Sequence, residues 1–209
     1  QVGAGEDVVV FLHGLFATAG VLRPMRLAVQ RHARIHTAAL SYPPGPGAER
    51  VGARLGALLA ALPQDSHIHL VGHSMGGVVV RHYAVTQGDP RVAQTITLAS
   101  PFGGVPNLGW LGFEGARDLD AQSALLRAVR LTRPPRPIPH TSILAGEDFI
   151  GKSPEAHALP DGELVVLPGR GHNAILYDRE ATELVVRKVL AERAVRTARE
   201  AGFGSPGIR

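Results

Sequence analysis

The 209-residue chain has a formal net charge of +4, from 22 Lys and Arg against 18 Asp and Glu, and 44% of its residues are apolar. That length suits one domain with one core, and that composition excludes a disordered or fibrous chain. With no cysteine it has no disulfide framework, thiolate metal site or Cys nucleophile, and no apolar run reaches the ~18 residues of a membrane span.

Nearly all the cations are Arg; only Lys152 and Lys188 are Lys. The densest cluster, Arg187, Lys188, Arg193, Arg196 and Arg199, falls on one predicted helix and reads as its solvated face. A nucleic-acid surface would need a recognised module or interleaved aromatics, and neither is present, so no nucleic-acid partner is expected.

In chain order, Val8-Val9-Val10-Phe11-Leu12 is a β-branched and aromatic run, which predicts a strand buried on both faces and ended by His13-Gly14. A helix is predicted over about Val21–His32, a strand over Ile35–Leu40, a Pro- and Gly-rich loop over 41–47 and a helix over Glu49–Leu62. Ile68–Val71 reads as a strand, about Gly76–Thr86 as a helix and Thr95–Ala99 as a strand. The stretch 101–139 is the least regular, with one helix predicted near Asp118–Leu131. Thr141–Ala145 and Glu163–Leu167 are strands, Arg179–Glu200 is a long helix, and 202–209 reads as a flexible tail.

Strands alternating with helices predict an α/β fold: one domain over 1–209 whose mostly parallel six-stranded sheet carries helices on both faces. Ligands of such sheets bind beyond the carboxyl ends of the strands. Chemistry is therefore expected just after residues 12, 40, 71, 99, 145 or 167.

Gly72-His73-Ser74-Met75-Gly76 fits G-x-S-x-G between a strand and a helix. The sharp turn lifts the Ser74 hydroxyl clear of the sheet and requires tiny residues on either side, and Gly77 leaves room for the helix to pack. A nucleophile of this kind needs donors for an oxyanion. The N–H of Met75 is one candidate, and that of Leu15, in His13-Gly14-Leu15-Phe16, is the other. Among ten histidines, His172 follows the sixth strand in Pro168-Gly169-Arg170-Gly171-His172 and is the candidate base, with His140 and His157 as competitors. Asp148 follows the fifth strand and is the candidate acid, against Glu147 and Asp178, the latter a candidate helix cap. No cluster has metal-ligand spacing, and no nucleotide motif follows a strand, so neither metal nor cofactor is expected.

These residues resemble the α/β-hydrolase superfamily, and within it the small bacterial lipases and esterases. Val8–Phe16 is similar to the family's oxyanion strand and loop, Ile68–Val80 to its nucleophile elbow, and Ser142–Leu176 to its acid and base turns. Leu98-Ala99-Ser100-Pro101-Phe102-Gly103-Gly104 resembles a lipase segment that usually carries His where Phe102 stands. The family's first two strands would lie before residue 7, where there is no room, so a minimal sheet is expected. The calcium-binding Asp of some lipases is matched here by Ala174 and Ile175, so calcium is not carried over.

The resemblance implies hydrolysis of a small-molecule or lipid carboxylic ester through Ser74, His172 and Asp148. Thioester cleavage or acyl transfer by the same triad is the alternative, and a non-catalytic ligand receptor a remote one. Residues 101–139 are too few for a large cap and read as a short flap. Phe16, Phe102, Trp110, Phe113 and Ile175 are candidate pocket residues, although the aromatics of 101–139 could equally pack on the core. A monomer in transient contact with lipid interfaces is expected. The compartment stays open.

Overall fold

The computed structural model describes residues 2, 3, 5–32, 34–148 and 154–201. Six parallel strands form one sheet: β1 (Asp7–Leu12), β2 (Ile35–Leu40), β3 (His67–His73), β4 (Val92–Leu98), β5 (His140–Ala145) and β6 (Glu163–Leu167). Their order is β2-β1-β3-β4-β5-β6. The chain thus moves outward from β1 to β2, then returns to the other side of β1 to lay down β3. That reversal opens a crevice beyond the carboxyl ends of β1 and β3, the position where such sheets bind ligands. Leu12 pairs with Gly72 there, so the turns after both strands share the crevice.

The continuous apolar run of β1 is explained by helices on both faces. Side chains alternate along a strand. Val8, Val10 and Leu12 join the core under α2 (Ala48–Ala60) and α3 (Met75–Thr86), while Val9 and Phe11 join the core under α1 (Arg23–Gln30) and α6 (Arg179–Glu200). Each such side chain contributes roughly 1.5–3 kcal/mol when fully buried.

Two expected helices differ. The first begins as a 3₁₀ turn over Ala19–Leu22, capped by the Thr18 hydroxyl, and becomes α-helical only at Arg23, with Pro24 in its first turn. The helix expected over 118–131 is two helices, α4 (Glu114–Asp118) and α5 (Ala124–Leu131). Local side-chain bonds break it. The Asp120 carboxylate accepts the N–H groups of Gly109 and Gln122, both at 3.0 Å, and the Ser123 hydroxyl caps α5 by accepting Leu126 N–H at 3.3 Å. Leu126 and Val129 are buried in the core, so the second half of 101–139 is anchored, while the turn Leu108–Leu111 buries none of its residues and exposes Trp110 and Leu111. The tail expected over 202–209 lies outside the described residues.

A buried polar chain ties α6 to the amino-terminal ends of the strands. His69 donates from Nε2 to Asp7 at 3.0 Å and accepts from Gln94 at its Nδ1, 2.9 Å away; Gln94 also donates to the Lys188 carbonyl at 2.9 Å. Arg196 donates to both Asp7 oxygens, at 2.8 and 3.0 Å. Burial would raise the Asp7 carboxyl, but the hydrogen bonds from His69 and Arg196 outweigh it and bring the pKa down to about 2. A carboxyl held below its unfolded value stabilises the fold above that value and loses the contribution as pH falls through the folded one. Asp7→Asn is therefore expected to cost roughly 2 kcal/mol at pH 7 and to flatten the loss of stability between about pH 4 and pH 2. Urea unfolding at pH 7 and pH 3 checks this; an acid limb of the same steepness in the variant would contradict it.

Candidate active site

β3 runs directly into Ser74, and α3 starts at the next residue. Ser74 has φ 53° and ψ −122°, a left-handed conformation that costs a non-glycine residue about 1–3 kcal/mol. The surroundings hold it there. Its N–H donates to the Leu98 carbonyl at 2.9 Å, and its own carbonyl accepts Gly77 N–H at 3.0 Å. The flanking glycines are required for space: a Cβ on Gly72 would lie 2.4 Å from the Gly76 backbone, and one on Gly76 would lie 2.4 Å from the Leu12 carbonyl. The room expected at Gly77 is taken by the Ser100 side chain.

His172 comes from the loop after β6. Its Nε2 lies 3.0 Å from Ser74 Oγ, and its Nδ1 lies 2.7 Å from Asp148 Oδ2. With Nδ1–H donating to the carboxylate, Nε2 is free to accept the serine proton. The two loops are stitched together where they leave the sheet, Gly146 N–H donating to the Leu167 carbonyl and Glu147 N–H to that of Arg170.

The competing residues are occupied elsewhere or face away. Asp178 caps α6 by accepting Ala181 N–H at 2.9 Å and pairs with Arg170. Glu147 is exposed. His140 is buried at the opposite end of the sheet between the Thr95 and Ser142 hydroxyls, and burial, with Arg81 nearby, pushes its pKa down to about 3. His157 Nδ1 accepts Gly103 N–H at 3.2 Å.

The turn after β1 lies against the serine. A Cβ on Gly14 would sit 2.8 Å from Ser74 Cβ and 3.3 Å from its Oγ. His13 fixes this turn: its Nδ1–H donates to the Gly14 carbonyl at 2.8 Å, and its Nε2 accepts Tyr42 N–H at 3.2 Å. The Tyr42 hydroxyl donates back to the His13 carbonyl, and the two rings stack with centroids 4.2 Å apart. Leu15 follows in this turn, and Met75 opens α3, where a first-turn N–H has no acceptor within the helix.

Two contributors are not legible in the sequence. Tyr42 lies in the loop after β2, an edge that carries no motif. His73, expected to be structural or on the surface, is buried; its Nε2–H donates to the His172 carbonyl at 2.9 Å, and the two rings lie 4.9 Å apart. Burial, reinforced by the neighbouring His172, brings the His73 pKa down to about 4, so it stays neutral. No sequence pattern marks either role, because both act through backbone groups.

The candidate pocket residues are only partly brought together. Phe16, 67% exposed, meets Phe113 edge to face with centroids 5.9 Å apart. Trp110 is 89% exposed on the Leu108–Leu111 turn. Of the other two candidate pocket residues, Phe102 is buried, and Ile175 is fully buried in the core. The reason is local: the short turn Ala174–Leu176 folds back against the sheet after His172 and buries Ile175 and Leu176 together. Among the described residues no group of His, Asp or Glu has the geometry of a metal site.

No curated protein matches the chain in sequence. Among solved structures, the fold is similar to the monoacylglycerol lipase of Paleococcus ferrophilus (TM-score 0.70, 15% identity, 88% of this chain and 94% of that one). It is also similar to a metagenomic carboxyl esterase (0.71, 19%, 94% and 77%) and to a hydrolase from Pseudomonas aeruginosa (0.60, 18%, 91% and 92%). At such identities these likenesses speak to the fold. A family model described as the alpha/beta hydrolase family matches residues 9–187, from the strand that leads to Gly14, through the elbow at Ser74, to well inside α6. With its sheet order, its elbow and that match in agreement, the chain belongs to the alpha/beta hydrolase family.

Proposed function

We propose that the protein is a serine hydrolase that cleaves carboxylic esters through Ser74, His172 and Asp148. The observation that carries this reading is the continuous line of contacts from Asp148 through His172 to Ser74, at 2.7 and 3.0 Å, on an elbow strained at Ser74. Ser74 Oγ attacks the ester carbonyl while its proton passes to His172 Nε2. The N–H groups of Leu15 and Met75 hold the oxyanion. The intermediate collapses as His172 returns the proton to the leaving alcohol, leaving an acyl group on Ser74. Water then attacks this acyl-enzyme, with His172 taking its proton, and the acid leaves as the proton returns to Ser74. Asp148 keeps the imidazole oriented and stabilises its cation.

No cofactor enters this scheme. The exposed Phe16, Trp110 and Leu111 support brief contact of a monomer with a lipid interface. Turnover of p-nitrophenyl esters from acetate to dodecanoate, beside matching acyl-CoA thioesters, tests the proposal. Ester turnover supports it. Folded protein that cleaves none of the esters would contradict it, and a strong preference for the thioesters would replace the substrate class.

Gly14→Ala probes the oxyanion turn. The added methyl displaces that turn from Ser74, and kcat is expected to fall about a hundredfold, the effect of losing one oxyanion donor. Steady-state kinetics on a single p-nitrophenyl ester measure it; a kcat within threefold of the parent would mean that the turn does not hold the oxyanion.

A further inference from the structure

A cavity of about 590 Å³ opens between the loop after β4 and α5, apart from the residues of the proposed triad. That volume is within the roughly 300–1,000 Å³ of small-molecule sites. Its floor is apolar: Phe102, Leu126 and Leu159 line it, each no more than 3% exposed. Its rim is cationic. Arg127 and Arg130 line it from α5, one turn apart and therefore on the same helix face, and both are exposed.

Neither guanidinium has a partner among the described residues. Arg34, Arg50, Arg91, Arg170 and Arg179 each pair with a carboxylate; Arg127 and Arg130 share their lack of a partner with other surface arginines such as Arg54 and Arg133 but differ in lining a cavity. The local sequence offers them no counter-charge. Between Asp120 and Glu147 the chain has four Arg and no Asp or Glu. Asp161, next to the lining residue Pro160, is committed to Arg81 at 2.8 Å.

Two guanidiniums without a partner among the described residues, above an apolar floor, suit a ligand with a hydrocarbon chain and one anionic end. The planar fork of Arg donates two parallel hydrogen bonds to a carboxylate. We propose that this cavity binds a fatty-acid anion, its chain on Phe102, Leu126 and Leu159 and its carboxylate between Arg127 and Arg130. The site does not depend on Ser74 being a nucleophile, so either proposal can fail alone. Along the chain, Phe102 lies two residues beyond Ser100, whose side chain packs against Gly77 in the first turn of α3.

The test is calorimetric titration of the full chain carrying Ser74→Ala, which removes turnover. The probes are decanoate, decanol, decyl phosphate and decyltrimethylammonium, all below their micelle concentrations. Decanoate is expected to bind one to one, about tenfold or more tighter than decanol, with no detectable binding of the cation. Adding Arg127→Gln and Arg130→Gln should weaken decanoate to the level of decanol, and Arg127→Lys with Arg130→Lys should restore part of the difference. Both arginines are exposed, so these variants are expected to keep the circular dichroism of the parent. The proposal is overturned if decanoate and decanol bind alike, or if the Gln pair binds decanoate like the parent, as occupation of the Ser74 site would produce. Binding seen only above the micelle concentration would also overturn it, and decyl phosphate binding more than tenfold tighter than decanoate would replace the carboxylate with a phosphate head.

Discussion

Ser74→Ala is expected to lower kcat/KM for a p-nitrophenyl ester by about 10⁴-fold or more, with the thermal midpoint nearly unchanged. In the proposed mechanism the loss is large because the variant lacks the group that would form the covalent bond, leaving only the proposed oxyanion turn and substrate binding. The fold is indifferent because the elbow is held by backbone bonds, Ser74 N–H to the Leu98 carbonyl and Gly77 N–H to the Ser74 carbonyl, which alanine keeps. His172→Ala should be as severe. If serine and histidine act as a unit, as proposed, the double variant should be scarcely worse than either single one. Losses that multiplied in the double variant would mean that the 3.0 Å contact between the two side chains is not a working proton path.

Arg81→Met is expected to cost about 3 kcal/mol of stability, about 6–12 °C in the thermal midpoint of a chain this size. Arg81 is 1% exposed in α3 and follows three buried valines. Its Nε donates to the Val129 carbonyl at 3.2 Å, and its Nη2 to the Thr132 carbonyl at 3.0 Å and to Asp161 at 2.8 and 3.1 Å. It therefore satisfies carbonyls at the end of α5 that the helix cannot satisfy itself. Methionine preserves much of the packing but leaves these carbonyls and Asp161 without their donor. The side chain of Asp161 is 22% exposed, so water recovers part of the loss, which places the effect at the low end for a broken buried pair. Differential scanning calorimetry measures it, and a midpoint within 2 °C of the parent would mean that the network contributes little.

Arg81 also shows where sequence reasoning stops. Nothing in the run Val78-Val79-Val80-Arg81 points to the partner of Arg81, which lies 80 residues further on. Tyr42 and His73 are similar: each steadies a loop through backbone groups whose directions depend on the fold. By contrast Ser74, Asp148 and His172 are legible because each comes just after a strand, and a parallel sheet gathers the loops at its carboxyl ends along one edge. The unbroken Val8–Leu12 run is legible because only helices on both faces accommodate it. The break between α4 and α5 is hidden because the caps at Asp120 and Ser123 compete with a good apolar period. Pocket residues are the least legible. Aromatic character marks both Phe102 and Trp110, yet one is buried at the floor of a cavity and the other is almost wholly in solvent.

The proposed activation of Ser74 is tested by intact-protein mass after brief treatment with a fluorophosphonate, with peptide mapping of the product. A single adduct on Ser74 is expected, formed slowly or not at all in His172→Ala and absent in Ser74→Ala. Folded parent protein that gains no adduct, or gains it at another residue, would contradict the assignment of Ser74, His172 and Asp148 as one catalytic unit.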